Sequence, residues 1–382
     1  MTEPASLRQV IRACLDDYAA THCLSPRQWQ VCCHVRDCRT AAMGGLALRC
    51  DACGAEEAAY HSCRDRHCPC CQRRASADWC ARQRAAVLPV SYHHLVFTLP
   101  HALDPWVQLH AREIYALLFE TVWGTLRTFA ADPKRLDGRL GMTAVLHTWG
   151  QTLTRHVHLH CLVPGGALAA NGTWHPAKSI YLFPVRALSR YVRGGFVSGL
   201  RPAFTAGRLK RIEDPAQVAA MLATLMATEW VVYSKACITH TETVVDYLGR
   251  YSHRIALSDR RLLAFEDGRV DLTYKDYRDG GKKVMHLQGE ELLRRFLLHV
   301  LPKGFMRIRH FGFLANRCRA RRLGQIREAI AAQEGAAIVL RQTSGERQAD
   351  TAPRPCTRCR KGRLQVIAQI AARTRPGGRA RP

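Results

Sequence analysis

The feature that most constrains this chain is the crowding of cysteine and histidine into its first 80 residues. Of the 17 cysteines in the 382-residue sequence, twelve lie before residue 81, in close pairs interleaved with histidine and basic residues. Segment 31–80 has little hydrophobic periodicity, so its core is too small to fold without help. Thiolates in such a block are typical metal ligands, and metal binding then supplies folding free energy. The sequence therefore predicts a zinc-binding domain over residues 31–80.

The strongest ligand spacing in this domain consists of two Cys-x2-Cys pairs. Cys50 and Cys53 are followed, after 14 intervening residues, by Cys68 and Cys71. Each pair can present two thiolates from a tight turn, and two such turns make a tetrahedral zinc site. Four thiolates leave no open position on the ion, so the predicted role is structural. Buried free thiols or redox use is the alternative.

Other cysteines and histidines of the same block are left over by this pairing. They could form a second zinc site, although no regular spacing supports one; the candidates are Cys38, Cys63 and His67, with His61, Cys32 and Cys33 as further options. A pair near the end of the chain, Cys356-x2-Cys359, is followed only by basic residues. We therefore do not expect a complete second finger there.

Cysteine usage and hydrophobicity also bear on the compartment. Residues 1–10 carry acidic and polar side chains and no apolar signal-peptide core. No apolar run reaches the ~18 residues that a membrane span requires. We expect a reduced cytoplasmic compartment, in a bacterium and in association with the nucleoid, and no membrane partner.

The charge balance points to nucleic acid. The chain has 57 Lys and Arg against 31 Asp and Glu, a formal charge of +26, and residues 303–382 alone hold 19 basic and 4 acidic residues. Such a surplus attracts phosphate backbones and releases their counterions. A solvated basic surface is the plainer interpretation. An anionic membrane surface is not favoured, because no strong amphipathic basic helix is apparent.

Periodicity and turn signals divide the chain into four parts. These are an N-terminal helix over residues 1–30, the cysteine-rich domain over 31–80, a mixed α/β region over 88–315, and a basic helix with a flexible tail over 316–382. Within the α/β region we predict strands at 92–99, 141–149 and 156–163, helices at 105–130, 215–230, 241–251 and 289–300, and hairpin turns at Asp267-Gly268 and Asp279-Gly280-Gly281.

One predicted strand carries three histidines in strict alternation. His156, His158 and His160 are separated by Val157 and Leu159, with Cys161 next. Alternate residues of a strand share a face, so the three imidazoles lie together while the apolar side chains enter the core. Imidazoles on a rigid strand hold a metal and leave positions open for water and substrate oxygens. A catalytic metal site is therefore predicted here.

A second candidate lies on the helix predicted over 241–251. Tyr247 and Tyr251 are four residues apart and share a helix face, beside a second such pair, Arg250 and Arg254. A phenol with its ordinary pKa near 10 needs a base or a metal to act as a nucleophile, and arginines can stabilise phenolate and phosphate together. Taken alone, this spacing favours amphipathic packing as the role of the two tyrosines.

Together these segments resemble one family, the rolling-circle insertion-sequence transposases of the HUH endonuclease superfamily that carry an N-terminal zinc-binding domain. The resembling segments span residues 38–317 and include CDACG (50–54), YHSCRDRHCPCCQ (60–72), HHLVFTLPHAL (93–103), LHTWGQTLTRHVHLHCLVPGG (146–166), YLGRYSHRIALS (247–258) and FLLHVLPKGFMRIRHFGFLANR (296–317). The resemblance implies an α+β fold, an antiparallel HUH-type sheet with flanking helices, and makes 88–315 the catalytic domain.

The resemblance also implies roles for individual residues. His158 and His160 match the HUH pair and would bind Mg²⁺ or Mn²⁺. Tyr247 and Tyr251 match the paired nucleophiles, which places the chain in the two-tyrosine branch. The third metal ligand is left open among His147, Gln151 and His94. The implied substrate is single-stranded DNA at transposon ends and target, and the protein could form a homo-oligomer.

Contacts with the DNA strand are predicted for a basic and aromatic stretch. Arg250 and Arg254 would bind beside the tyrosines, and Arg307 and Arg309, with Phe305 and Phe311, would track and stack the strand. An edge strand is the alternative for that stretch. Two other functions remain open: a zinc-dependent DNA-binding regulator without catalysis, and a metallohydrolase acting on RNA or a nucleotide.

Overall fold

A computed structural model describes residues 5–84, 86–177, 182–237, 256–334 and 354–373. The helix predicted over 241–251, which includes Tyr247, Arg250 and Tyr251, lies outside the described residues, and so does Arg254. Within them the fold is α+β with antiparallel sheets, as predicted.

The helices are, in chain order, α1 Leu7–Thr21, α2 Pro26–Asp37, α3 Pro69–Arg84, α4 Asp104–Ala131, α5 Val185–Thr205, α6 Pro215–Ala227, α7 Gly289–Leu297 and α8 Arg319–Glu334. The strands are β1 Gly45–Cys50, β2 Glu56–Tyr60, β3 Tyr92–Thr98, β4 Gly141–Trp149, β5 Arg155–Pro164, β6 Gly166–Leu168, β7 Trp174–Pro176, β8 Val232–Cys237, β9 Leu262–Glu266, β10 Arg269–Lys275, β11 Lys282–Gln288, β12 Ile308–Gly312 and β13 Leu364–Ile370.

The N-terminal segment folds as two helices rather than the single helix predicted over 1–30. Helix α2 begins with Pro26, whose ring fits the first helical turn and whose missing N–H costs nothing there. Ser25 caps it, and Gln28 reaches back to the backbone of Ser25 in a capping box. The same box at Ser6 begins α1. Local capping therefore sets where each helix begins.

The central sheet has five antiparallel strands in the order β12-β4-β5-β3-β8. Strand β5 lies in the middle, and its apolar set, Val157, Leu159 and Cys161, is buried, as the alternation predicted. These side chains pack with α4 and α5 in the largest hydrophobic core among the described residues. The opposite face of β5 carries the three histidines.

A smaller meander, β9-β10-β11, packs against α1 and α7 in a second core. Its first hairpin turns through Asp267 and Gly268, both with positive φ (47° and 75°), so this predicted turn is confirmed. The turn before β11 also has a left-handed glycine, Gly280.

Part of the tail that we expected to be flexible is structured. Strand β13 pairs antiparallel with β1, placing Leu364 opposite Cys50 and Ile370 opposite Gly45. Strand β1 pairs with β2 on its other side, so β13 fills an edge that would otherwise expose unpaired backbone groups. The expectation of a flexible tail is therefore wrong for residues 354–373. Among the helices described, none has the length and apolar character needed to cross a membrane.

Candidate active site and cysteine clusters

Two neighbouring strands of the central sheet bring three imidazoles together. His147 of β4 lies directly opposite His158 of β5, and His160 is two residues further along the same face. One ring nitrogen from each histidine lies within 4.8 Å of the other two. The ring centroids are 4.5 Å apart for His147 and His160 and 4.8 Å apart for His158 and His160. This histidine cluster has the size of a metal site.

Hydrogen bonds orient two of the three rings. The Nδ1 of His158 lies 2.8 Å from the carbonyl oxygen of His156, which can only accept, so Nδ1 carries the proton and Nε2 keeps its lone pair. The Nδ1 of His160 lies 2.9 Å from Nε2 of His94 on β3. Such outer partners fix the tautomer and the ring angle of metal-binding histidines.

Burial lowers the pKa of two imidazoles at this site, His158 and His94. Desolvation lowers the pKa of His158 to about 4, and the nearby His156 lowers it too, although the hydrogen bond to the His156 backbone opposes the shift. Desolvation, with smaller contributions from His158 and Lys235, also lowers the pKa of His94 to about 4. A neutral imidazole has the lone pair that a metal requires.

The structure distinguishes among the three residues left open as a third ligand. His147 belongs to the cluster, and the Trp149 ring stacks on it at 4.5 Å. His94 contacts His160 from the side. Gln151 lies elsewhere: its side-chain amide donates to the Tyr277 hydroxyl at 3.2 Å. His147 is therefore the third member.

Helix α3 covers one end of the histidine face. Trp79 of α3 packs with Tyr92, Leu162 and Ile308 in a small buried cluster. Leu162 is two residues beyond His160 on β5, so its side chain is on the histidine face. The cysteine-rich domain thus borders the candidate active site.

Two basic residues predicted to contact DNA, Arg307 and Arg309, lie just before β12 and on it. Arg307 is buried, and its guanidinium donates to the Gln72 side chain at 3.1 Å. Burial lowers its pKa to about 10, with a smaller contribution from Arg66. Arg309 lies over the rings of Phe119 and Phe305, at 4.2 and 5.0 Å, on the core side of the sheet. Strand β12 is an edge strand of the central sheet, as the alternative predicted, and contact of Arg307 and Arg309 with DNA stays a prediction.

Eight of the described cysteines form two groups of four, and not as their spacing predicted. The core cysteine cluster consists of Cys38, Cys63, Cys68 and Cys71. The ribbon cysteine cluster consists of Cys50, Cys53, Cys356 and Cys359. In each group all four sulfurs lie within 4.8 Å of one another. The predicted pairing of Cys50 and Cys53 with Cys68 and Cys71 is therefore wrong, and the tail pair that we set aside completes a site.

The physical reason is the length of β1. Gly45 is opposite Tyr60 in the β1–β2 hairpin, so Cys63 returns to the beginning of β1, while Cys50 lies at its far end. Five residues of strand span about 17 Å at ~3.3 Å per residue. One ion cannot bind both ends, because Zn–S bonds are about 2.3 Å long.

His67, predicted as a zinc ligand, has another role. Its Nδ1 lies 2.8 Å from the Asp65 carboxylate, and its Nε2 accepts a hydrogen bond from the Leu301 backbone N–H at 3.1 Å. Both ring nitrogens are thus engaged. Asp65 also binds Arg27 and His34, at 3.1 and 3.0 Å. This network joins the cysteine-rich domain to the segment after α7.

Two family models match the chain. One, described as "Transposase zinc-binding domain", matches residues 10–99, and the other, described as "Putative transposase", matches residues 141–322. The sequence is 44% identical over 364 residues to the "Putative transposase y4qJ" of Sinorhizobium fredii, covering 92% of each chain. It is 29% identical over 305 residues to the "Transposase for insertion sequence element IS801" of Pseudomonas savastanoi pv. phaseolicola, covering 77% of this chain and 72% of that protein. No solved structure matches.

These matches identify a transposase of insertion sequences that carries a zinc-binding domain. The chain belongs to the rolling-circle insertion-sequence transposases, within the HUH superfamily, that carry an N-terminal zinc-binding domain. The resemblance drawn from the sequence is confirmed.

Proposed function

We propose that this transposase nicks and rejoins single-stranded DNA at the ends of an insertion element, by tyrosine attack assisted by a divalent metal. The observation that carries the proposal is the histidine cluster, His147, His158 and His160, whose ligand nitrogens lie within 4.8 Å of one another on a rigid sheet. A DNA-binding regulator has no need of such a cluster.

The donor set fits a catalytic divalent ion. The three imidazoles come from one side, which leaves further positions for water and a phosphate oxygen. Among the described residues the cluster includes no carboxylate. Nitrogen-only donors bind Mn²⁺ better than Mg²⁺, which prefers oxygen. Bound there, the ion would supply Lewis acidity toward the scissile phosphate.

The nucleophile is proposed from the match to the two-tyrosine branch. The phenol oxygen of Tyr247 or Tyr251 attacks the phosphorus, the bond from phosphorus to the 3′ oxygen breaks, and that oxygen takes a proton. A 5′-phosphotyrosine ester and a free 3′-hydroxyl result. The ester conserves the bond energy, so rejoining needs no ATP. Arg250 and Arg254 would stabilise the phenolate and the phosphate.

The cysteine-rich domain supports this site structurally. We assign zinc to the core cysteine cluster, because four thiolates leave the ion no position for substrate. Helix α3 begins within that cluster and ends over the histidine face. The surplus of positive charge would hold the DNA strand, and that part of the binding should weaken as salt rises.

The test is a cleavage assay with a labelled single-stranded oligonucleotide that contains an element end. The readout is the covalent protein–DNA product on a denaturing gel. His158→Ala with His160→Ala should remove it, as should Tyr247→Phe with Tyr251→Phe. Mn²⁺ should support cleavage at lower concentration than Mg²⁺.

His156→Ala is the matched control. His156 is on the same strand and face, yet it lies outside the cluster, and it holds His158 through its backbone carbonyl, which the substitution keeps. This variant should therefore retain most activity. A double tyrosine variant that still forms the adduct would disprove the nucleophile assignment. Release of free product without an adduct would favour a metallohydrolase, and no nicking at all would favour a regulator.

A further inference from the structure

We propose that the ribbon cysteine cluster is a second, independent zinc site, which closes the C-terminal segment onto the N-terminal domain. Its ligands are Cys50 and Cys53 on one side and Cys356 and Cys359 on the other. They lie about 300 residues apart in the sequence. The site takes no part in the proposed cleavage chemistry, and it can be tested separately.

The sulfur positions fit a tetrahedral ion. The Sγ atoms of Cys50 and Cys359 are 3.7 Å apart, and those of Cys53 and Cys356 are 3.8 Å apart. A tetrahedral zinc with Zn–S bonds of about 2.3 Å requires sulfurs about 3.8 Å apart. Both distances cross from one turn to the other, so the two turns face each other around one point.

The two turns have the same backbone form. In the first, Gly54 donates its N–H to the carbonyl of Cys50 at 3.1 Å, and in the second, Arg360 donates to the carbonyl of Cys356, also at 3.1 Å. Gly54 and Arg360 each follow the second cysteine and have positive φ, 68° and 58°. A left-handed arginine is uncommon. Its presence at the position of Gly54 indicates that the thiolate turn determines the backbone there.

Close packing holds the turns together. A side-chain carbon at Gly362 would lie 2.5 Å from the Cys50 sulfur, so only glycine fits. The Asp51 carboxylate accepts a hydrogen bond from the Arg363 backbone N–H at 2.7 Å. The second turn is therefore fitted to the first.

The ribbon, which is the three-stranded sheet β13-β1-β2 with its two cysteine turns, has too little hydrophobic core to hold this arrangement by itself. Its buried cluster consists of four residues, Leu48, Cys50, Cys356 and Leu364, and two of them are proposed ligands. The outward side chains of β13 include Val366 and Ile367, which are 58% and 43% exposed. A segment this small needs a metal to fold.

Zinc explains the group better than disulfides do. A disulfide would draw two sulfurs to about 2.05 Å and leave the other pair separate. Here four thiols lie at similar separations around a common point. Four thiolates and Zn²⁺ carry a net charge of −2, which the exposed Arg358, Arg360 and Lys361 of the second turn offset.

The experiment measures bound zinc per chain in the full-length protein after gel filtration in zinc-free buffer without chelator. Cys356→Ser with Cys359→Ser should lose one equivalent relative to the unmodified protein. Cys50→Ser with Cys53→Ser should lose the same equivalent, and the quadruple variant should lose no more than either pair. The control is Cys23→Ser with Cys318→Ser, two cysteines outside both clusters, which should lose none.

Substitution with Co²⁺ provides a second readout that does not depend on zinc analysis. The near-ultraviolet charge-transfer absorption follows the number of thiolate–cobalt bonds, so the Cys356 and Cys359 double variant should show about half the unmodified signal at full cobalt loading. Unchanged zinc in that variant would overturn the proposal, as would additive losses in the quadruple variant. Retention of the other zinc and of the far-ultraviolet circular dichroism would exclude general misfolding.

Discussion

The two cysteine clusters each consist of four cysteine thiols, but they differ in the residues that surround them. In the core cysteine cluster, Cys38 and Cys68 are fully buried and belong to the hydrophobic core shared by α1, α2 and α7. In the ribbon cysteine cluster, Cys53 is exposed, and the buried residues around the ligands Cys50 and Cys356 are only Leu48 and Leu364. The first cluster therefore lies within a hydrophobic core, while the second lies where the C-terminal segment 354–373 meets the hairpin of β1 and β2.

This difference predicts unequal stability effects, the largest at the core cluster. Cys38→Ala removes a thiolate from a buried site and should cost about 4 kcal/mol or more of unfolding free energy, since loss of a structural metal is among the largest single-residue effects. Cys161→Ala, also fully buried but outside both clusters, should cost only about 1–2 kcal/mol for the lost contacts.

Urea denaturation followed by tryptophan fluorescence measures both losses. Equal losses in the two variants would show that Cys38 acts as an ordinary buried side chain and holds no metal.

The sequence predicts the elements whose conformation depends on residues close together in the chain. The alternation at 156–161 predicted both faces of β5, and the Asp267-Gly268 signal predicted a hairpin because few residue pairs accept positive φ in succession. The helices at 105–130 and 215–230 were predicted within a few residues of their ends. Each of these depends only on neighbours in the chain.

The sequence failed where distant segments meet. The spacing of Cys50, Cys53, Cys68 and Cys71 is typical of one site, but the β1–β2 hairpin separates the pairs, and hairpin length is not encoded in cysteine spacing. Equally, nothing local shows that Cys356 reaches Cys50. One signal was available: both tail cysteines stand in the same Cys-x2-Cys spacing as Cys50 and Cys53. The placement of Tyr247 and Tyr251 relative to the histidines stays a prediction.

The next effect tests how the cysteine-rich domain is joined to the segment after α7. Asp65→Asn should cost about 1–3 kcal/mol, because it leaves buried partners, His67 above all, without a charged acceptor. Desolvation raises the pKa of Asp65, but hydrogen bonds from His67 and His34 lower it by more. The net pKa of Asp65 is therefore well below its usual range.

The sign of the pH dependence follows from that shift. A carboxyl whose folded-state pKa is depressed stabilises the fold above its ordinary pKa of about 4 and loses that contribution as the pH falls. The difference between the unmodified protein and Asp65→Asn should therefore be constant near neutral pH and shrink below about pH 4. Asp271→Asn, at a more exposed pair with His286, is the control and should show little difference. A gap that widens in acid would contradict the assignment.

A smaller effect is expected when only the ribbon zinc is removed. With excess chelator, zinc should leave in two phases, the faster from the ribbon, since Cys53 is exposed and Cys68 is buried. Local opening of the ribbon leaves the main core intact, so the global unfolding free energy should fall by about 1 kcal/mol or less. Stopped-flow detection with a zinc dye checks the phases. A single phase would mean that the two sites are equally embedded, and a reversed order would mean that the ribbon site is the more deeply embedded one.

The smallest effect concerns the surface of the ribbon. Arg49 and Glu56 face each other across β1 and β2 at 2.6 Å, and both side chains are more than half exposed. An exposed ion pair contributes about 0.2–1 kcal/mol, because water screens it and both side chains lose freedom. Arg49→Ala should therefore leave the zinc content unchanged and the rate of the fast zinc phase within about twofold. A large increase in that rate would mean that surface pairing, and not the four thiolates, holds the ribbon closed, and the contrast between the two clusters would then rest on charge rather than on metal.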